Sequence, residues 1–579
     1  MKKILFLIMM CLTPGVMCAG DVYVSPSGSD TNSGLSQQEP VKTMRTALRI
    51  AREWRRLNNA RIQGGVVIHL AKGNYEPFCL RTEDSGTDDS PTIIRGDEGA
   101  TVGLGVSVGT WRQEGGLLVA DVPQQYINRQ MWTTAGKAYR ASLFGPEKMG
   151  RMTDFNTSDR TITIPVTGRD LGNSPDLEMT VHQRWALAIL RIDRTDIQGG
   201  LLKVSFREPE STLEFDHPWP QPVIGGEKGN SSYNLWGAKA FLDEPGEWYY
   251  DKLEKKLYYY PRDGETTDNL KAVVPTGERL LTIEGCDHEQ VRNRSIEYIT
   301  FEYAAWNRPS QFGHVTLQAG FAITEAYKLK QEGLPWAPTL ENQAWIERPV
   351  SAVCVRYADR INFRGCTFRH LAATALDYEY ATNDAVIENN HFEDIGGTAI
   401  MVGSFSEGAF EVHRPFKGLC SDNVTIRNNN IYDISNEDWG TVGIGCGYVS
   451  HCTISANRLE RMNYCGICVG WGWTPHLTGM HDNRIVDNIV TDFARQLYDA
   501  GGIYTMSNQP NSLIEGNTIT RLCDAPYATN ERGFYIYLDA ETDGYTITGN
   551  TCDELRFGDN HPGPNVIWKD NNKSDGIDR

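Results

Sequence analysis

The chain has 579 residues, more than one compact core holds, so it needs either several domains or an architecture that grows along one axis. A formal net charge of −18 disfavours nucleic acid or an anionic membrane surface as a partner, since either would want a basic stripe. Of its 13 cysteines, those beyond Cys11 and Cys18 are odd in number and scattered over strand positions, which is no disulfide framework.

The first 20 residues, MKKILFLIMMCLTPGVMCAG, join two lysines to a long apolar stretch and a small-residue exit, which reads as an export leader. A periplasmic or extracellular protein follows from that reading. Gly15, Val16 and Met17 ahead of Cys18 match a lipid-attachment site poorly, and no later segment is apolar enough to span a bilayer. Residues 21–105 begin with a strand and a Gly/Ser/Asp turn. The spacing of Met44, Ala47, Leu48 and Ala51 then predicts a helix that caps the apolar end of a solenoid, ahead of the first coils. Over residues 106–276 the pattern changes to longer alternating strands, predicting an inserted β-sandwich-like subdomain.

Residues 277–579 carry the main repeat. VIENNHFEDI, TIRNNNIYDI, TISANRLERM, RIVDNIVTDF, LIEGNTITRL and TITGNTCDEL share an apolar β-branched strand, an Asn and a second apolar step. Asn390, Asn430, Asn457, Asn488, Asn517 and Asn550 recur at roughly 24 to 40 residues, the range of coiled solenoids, and Cys366 takes the Asn place in an earlier copy. Each unit holds two or three short strands and few hairpin dipeptides, which fits a β-helix better than a propeller. The expectation is an all-β chain wound as a right-handed parallel β-helix, with the asparagines stacked as a turn ladder. Excursions at 308–349 and 404–420 leave the coil and are candidates for binding walls.

Each coil holds a second strand. With Leu376, Ile400, Ile444, Ile467, Ile503 and Phe534 taken as inward, the next positions face outward and hold Asp377, Met401, Gly445, Cys468, Tyr504 and Tyr535. Glycines around Trp471 and Trp473 leave room for a groove, in which Trp471, Trp473, Tyr504 and Tyr535 would stack on sugar rings while Asp377, Glu379 and His413 bind hydroxyls. Cys465 and Cys468 form a CxxC in an apolar strand with no second pair, so they read as interior thiols, and neither metal nor cofactor is expected. Asp499 precedes the close-approach sequence GGIYT, and Asp539 ends the apolar strand FYIYL, whose surroundings favour it as the proton donor. Glycosidic cleavage asks for two such carboxylates. In this register, however, Asp499 lies four residues before its anchor and Asp539 five after, so a bend must bring them together.

DVYVSPSGSDTNSG, FLDEPGEWYYDKLEKKLYYYP, GWGW, DAGGIYTMSNQPNSLIEGN and YLDAETDGYTITGN resemble the right-handed β-helix glycosidases of bacteria, and glycoside hydrolase family 141 in particular. That family includes an α-L-fucosidase acting on pectic rhamnogalacturonan II and a xylanase. The resemblance implies a two-aspartate mechanism at Asp499 and Asp539, an inserted β-sandwich, and an oligo- or polysaccharide substrate. Relatives often read LDEGSS where this chain has LDAETDG, which displaces the acidic neighbour to Glu541. Two other readings stay open: a polysaccharide lyase or epimerase on the same solenoid, disfavoured by the few lysines after residue 350, and a non-catalytic carbohydrate-binding β-helix with the aspartates apart. A monomer is expected, because capped solenoid ends offer no continuing edge.

Overall fold

The computed structural model describes residues 19–572 except 124, 126–127, 172–173, 218–219, 326–344, 408–419 and 531–532. The leader read in the first 20 residues falls outside this range up to residue 18, while Gly20 already pairs with Val66 in the first coil. No described helix is long and apolar enough to cross a membrane.

Three long parallel sheets wind into a right-handed β-helix. Each coil runs from the first sheet to the third, then to the second, and back to the first. One coil illustrates the path with Arg484–Val486, Ile489–Phe493 and Ala500–Thr505, followed by Asn508–Glu515 of the next. Alternating β-branched residues make these strands, and the inward ones stack into a dry interior. Phe368 and Phe392 lie parallel there, with centroids 4.6 Å apart. Thr43 caps the helix Met44–Arg56, which turns Met44, Ala47, Leu48, Ala51 and Trp54 onto the first coil.

The asparagine ladder closes the corner between the first and third sheets. Asn390, Asn429, Asn457, Asn488, Asn517, Asn550 and Asn571 each pass an amide hydrogen or accept one along the column at 2.9–3.0 Å. The ladder member in the NNN run is therefore Asn429 and not Asn430. Asn430 opens the next strand, is exposed and faces His391, because a one-residue step along a strand reverses the face. Asn390 also accepts from the backbone N–H of Cys366, which keeps the thiol copy in the column.

The corner between the third and second sheets is where the chain leaves the coil. After Ala100–Gly103 it departs, and it returns at Leu281–Glu284, which pairs with Phe78–Leu80. The excursion folds as an eight-stranded and a seven-stranded sheet. A second departure, between Thr300–Ala304 and Ser351–Arg356, uses the same corner. The insertion is fastened along neighbouring coils. Trp132 donates to Asp394 at 2.7 Å, Lys137 pairs with Glu437 at 2.6 Å, and Arg151 donates to the carbonyl of Tyr527 at 2.9 Å. His182 Nε2 lies 2.9 Å from the carbonyl of Gln496, and burial pushes that imidazole down to about 4, so it sits neutral in the contact.

Candidate active site

Asp499 and Asp539 line one cavity of about 260 Å³ on the outer face of the second sheet. They reach it from opposite ends of adjacent strands. Asp499 stands before Ala500–Thr505, at the corner from which the insertion departs, with a left-handed φ of 61°. Asp539 follows Gly533–Leu538, in the turn toward the first sheet.

The cavity floor explains how the two share a site. Tyr504 and Tyr537 are direct ladder neighbours, and their rings meet edge to face at 5.2 Å. Tyr537 donates to Asp499 Oδ1 at 3.1 Å, while Tyr504 donates to Asp539 Oδ2. Each tyrosine thus serves the aspartate of the other coil. Burial and the neighbouring Asp539 push the Tyr504 hydroxyl well up, so it remains a donor. Asp539 also accepts from Trp473 Nε1 at 2.9 Å and from Asn560 Nδ2 at 2.7 Å. Tyr464 holds the main chain of Asp499 through its carbonyl at 3.1 Å.

The pairing revises the strand register. Ile503 pairs with Ile536, two residues beyond the expected anchor Phe534, so the outward tyrosine in the site is Tyr537. Tyr535 instead packs edge to face on the interior Phe493 and does not line the cavity. The shift places Asp539 three residues past its anchor, and the two turns flanking the sheet supply the bend expected from the sequence.

The remaining expected binders divide. Trp473 is in the site, held at φ 47° directly after the left-handed Gly472, with Gly470 left-handed two residues before that. At Gly470 a side chain would strike the carbonyl oxygen of Met506, which accounts for the glycine. Trp471 is 1 % exposed and packs among Phe321, Phe405 and Trp473, so it supports the wall without facing substrate. Asp377 is fully buried and accepts from Nε and Nη2 of Arg348, each at 2.7 Å, and Glu379 takes hydrogen bonds from Cys354 and Arg356. Neither lines the cavity, because an outward position in an early coil is covered by the chain that follows Thr300–Ala304. His413 lies outside the described residues. Cys465 and Cys468 are buried beneath the site, and all described cysteines are free thiols.

Four lining residues come from outside the coil. Arg184 and Trp185 form the tip of the insertion hairpin between Glu178–Gln183 and Ala186–Gln198, and Leu317 and Gln318 come from the second departure. Trp185 Nε1 donates to the Leu317 carbonyl at 2.9 Å, and the backbone N–H of Tyr498 donates to the Arg184 carbonyl at 3.2 Å, which ties both excursions to the residue before Asp499. Leu317 and Gln318 fall in the 308–349 excursion that the sequence offers as a candidate binding wall, whereas the signal for Arg184 and Trp185 was slight, since polar and aromatic residues at a hairpin tip read as ordinary surface.

A family model of the GH141 insertion domain matches residues 115–262, and one of the right-handed β-helix region matches residues 418–569. A solved structure described as a glycoside hydrolase superposes with a TM-score of 0.91 at 35 % identity, covering 96 % of this chain and 98 % of its own. The chain belongs to the glycoside hydrolases. This hydrolase also overlays weakly on two other structures. One is XylC in complex with xylose, at 13 % identity over 93 % of this chain and 69 % of that one, with a TM-score of 0.45. The other is a GH136 lacto-N-biosidase from Eubacterium ramulus, at 11 % identity over 95 % and 67 %, with a TM-score of 0.37. Among curated protein sequences none matches the hydrolase.

Proposed function

We propose that Asp499 and Asp539 are the catalytic pair of this glycoside hydrolase, and that the enzyme is exported and acts as a monomer on plant cell-wall polysaccharide, pectic or hemicellulosic, at an α-L-fucoside or xyloside. The observation that carries the reading is the shared cavity, in which the two carboxylates stand over crossed tyrosines. One carboxyl protonates the leaving oxygen while the other, ionised, activates water or attacks the anomeric carbon.

Tyr504, Trp473 and Asn560 all donate to Asp539, an arrangement suited to the partner that carries negative charge. Asp499 then supplies the proton, the reverse of the assignment that the apolar run before Asp539 favours. Trp473 lines the cavity with its indole N–H on Asp539, and the Arg184–Trp185 tip supplies another part of the wall. A volume of about 260 Å³ falls below the roughly 300–1,000 Å³ of drug-sized sites and suits one terminal sugar ring, so cleavage is from a chain end.

The test is hydrolysis of aryl α-L-fucosides, β-D-xylosides and pectic oligosaccharides by the wild type, Asp499→Asn and Asp539→Asn. Each variant is expected to lose about a thousandfold in kcat, about 4 kcal/mol of transition-state stabilisation. Cleavage that survives both substitutions would refute the pair.

A further inference from the structure

Away from the cavity, surface turns along the first sheet bring together Asp422, His451, His481 and Asp482. Ser421–Asp422 pairs in parallel with Val449–Ser450, and Ser450 bridges to His481, so the four side chains belong to three successive coils. His451 Nδ1 lies 2.8 Å from Asp422 Oδ1. An ionised carboxylate only accepts, so Nδ1 carries the hydrogen and Nε2 of the neutral ring keeps its lone pair. Burial works against the Asp422 charge, yet hydrogen bonds from His451 and Ser450 hold its carboxyl below the usual range.

The free nitrogen has company. His451 Nε2 is 4.0 Å from Asp482 Oδ2, and His481 Nδ1 is 2.6 Å from the same oxygen. The two imidazole rings stand at 87° with centroids 4.9 Å apart. One donor atom from each of His451, His481 and Asp482 lies within 4.8 Å of the others. A histidine whose second nitrogen is fixed by a carboxylate is the usual support of a metal ligand, because it sets both tautomer and ring direction.

We propose that His451, His481 and Asp482 bind a divalent transition metal of the zinc class, and that the metal clasps two consecutive coils while Asp422 of the preceding coil orients His451. Two imidazole nitrogens and one carboxylate suit Zn²⁺, Ni²⁺ or Cu²⁺, whereas Ca²⁺ and Mg²⁺ take oxygen shells. Ligand atoms around Zn²⁺ at about 2.1 Å stand roughly 3.4 Å apart, so His451 must approach the other two donors and the close His481–Asp482 pair must open, each by about an ångström. His451, His481 and Asp482 have the freedom for it, with side chains 53 %, 41 % and 41 % exposed. None of the four residues lines the cavity that holds Asp499 and Asp539, so the metal supports the coil stack and leaves glycoside cleavage unchanged.

The experiment titrates ZnCl₂ calorimetrically into the chelator-treated, tag-free protein near neutral pH, with the Co²⁺ absorption spectrum and melting temperature followed alongside and CaCl₂ as the control. One Zn²⁺ per chain, Co²⁺ ligand-field bands and a rise in Tm are expected, with no response to Ca²⁺. His451→Ala and His481→Ala are expected to weaken binding at least about tenfold and to abolish the bands and the Tm rise, while Asp422→Asn keeps the stoichiometry and weakens binding about 10- to 100-fold. Circular dichroism verifies that each variant is folded, and His481→Gln replaces any that is not. Absence of Zn²⁺ uptake by the wild type, or equal affinity in either histidine variant, overturns the proposal.

Discussion

Tyr537 donates its hydroxyl to Asp499 across the boundary between two coils at 3.1 Å, while its ladder neighbour Tyr504 makes the reciprocal bond to Asp539. The crossing fixes the two carboxylates relative to one another without an ion pair between them. Tyr537→Phe removes one donor and keeps the ring. Its kcat is expected to fall about 10- to 100-fold, about 1.4–2.8 kcal/mol, with KM and melting temperature nearly unchanged. Steady-state kinetics beside a thermal melt check this, and a loss confined to KM would make Tyr537 a substrate ligand instead.

Trp185 brings the inserted subdomain to the site, and its indole N–H is held by the Leu317 carbonyl at 2.9 Å. Trp185→Ala opens one side of the cavity while the coil stack behind it stays intact. KM is expected to rise about tenfold or more, about 1.4 kcal/mol of lost binding, with a smaller change in kcat. An unchanged KM would show that the insertion tip does not touch the sugar.

Asn457 tests the ladder. It accepts from the backbone and side-chain amides of Asn429 at 3.0 and 2.9 Å, and donates to Ile426 and Asn488 at 2.9 and 3.0 Å. Asn457→Ala leaves these buried groups unmet and is expected to cost about 2–4 kcal/mol in denaturant unfolding. Asn430→Ala, on the exposed side of the same corner, is expected to stay within about 0.5 kcal/mol. Equal effects would contradict the register.

Glu214 is buried in the insertion, where Gln183 Nε2 donates to it at 2.6 Å, and burial pushes its carboxyl from 4.5 up to about 8. A carboxyl raised by folding contributes stability that is complete below the unfolded pKa and is lost as pH rises through the folded one. The window is therefore about 4.5 to 8. Glu214→Gln is expected to match the wild type near the bottom of that window and to exceed its stability at the top, by up to about 4 kcal/mol. Melting curves of both proteins across the range measure the difference, in which the other titrating groups cancel. Parallel curves would show that Glu214 is ionised in the fold.

Much of the architecture was legible because a solenoid is nearly one-dimensional. Each coil meets only its neighbours, so the Asn repeat and the alternation of apolar residues carry the winding in local sequence. The acids before GGIYT and after FYIYL were legible for the same reason, standing at the ends of recognisable strands. Finer placement was not. Asn429 and Asn430 are chemically identical, and only the pairing of Thr425–Arg427 with its neighbours decides which one turns inward. Tyr535 and Tyr537 stand two residues apart, as a period-2 pattern would place on one face, yet Tyr535 packs inward on Phe493 while Tyr537 lines the cavity, and the register is settled by Ile503 lying against Ile536.

From the sequence alone came the β-helix, the insertion and two strand-end aspartates, all properties of short stretches of chain. The tertiary structure decided that those aspartates share a cavity, that tyrosines from opposite coils hold them, and that Arg184 and Trp185, more than 300 residues before Asp499, close it. Contacts of that span depend on how the insertion docks on the corner it leaves, and no local periodicity encodes that docking.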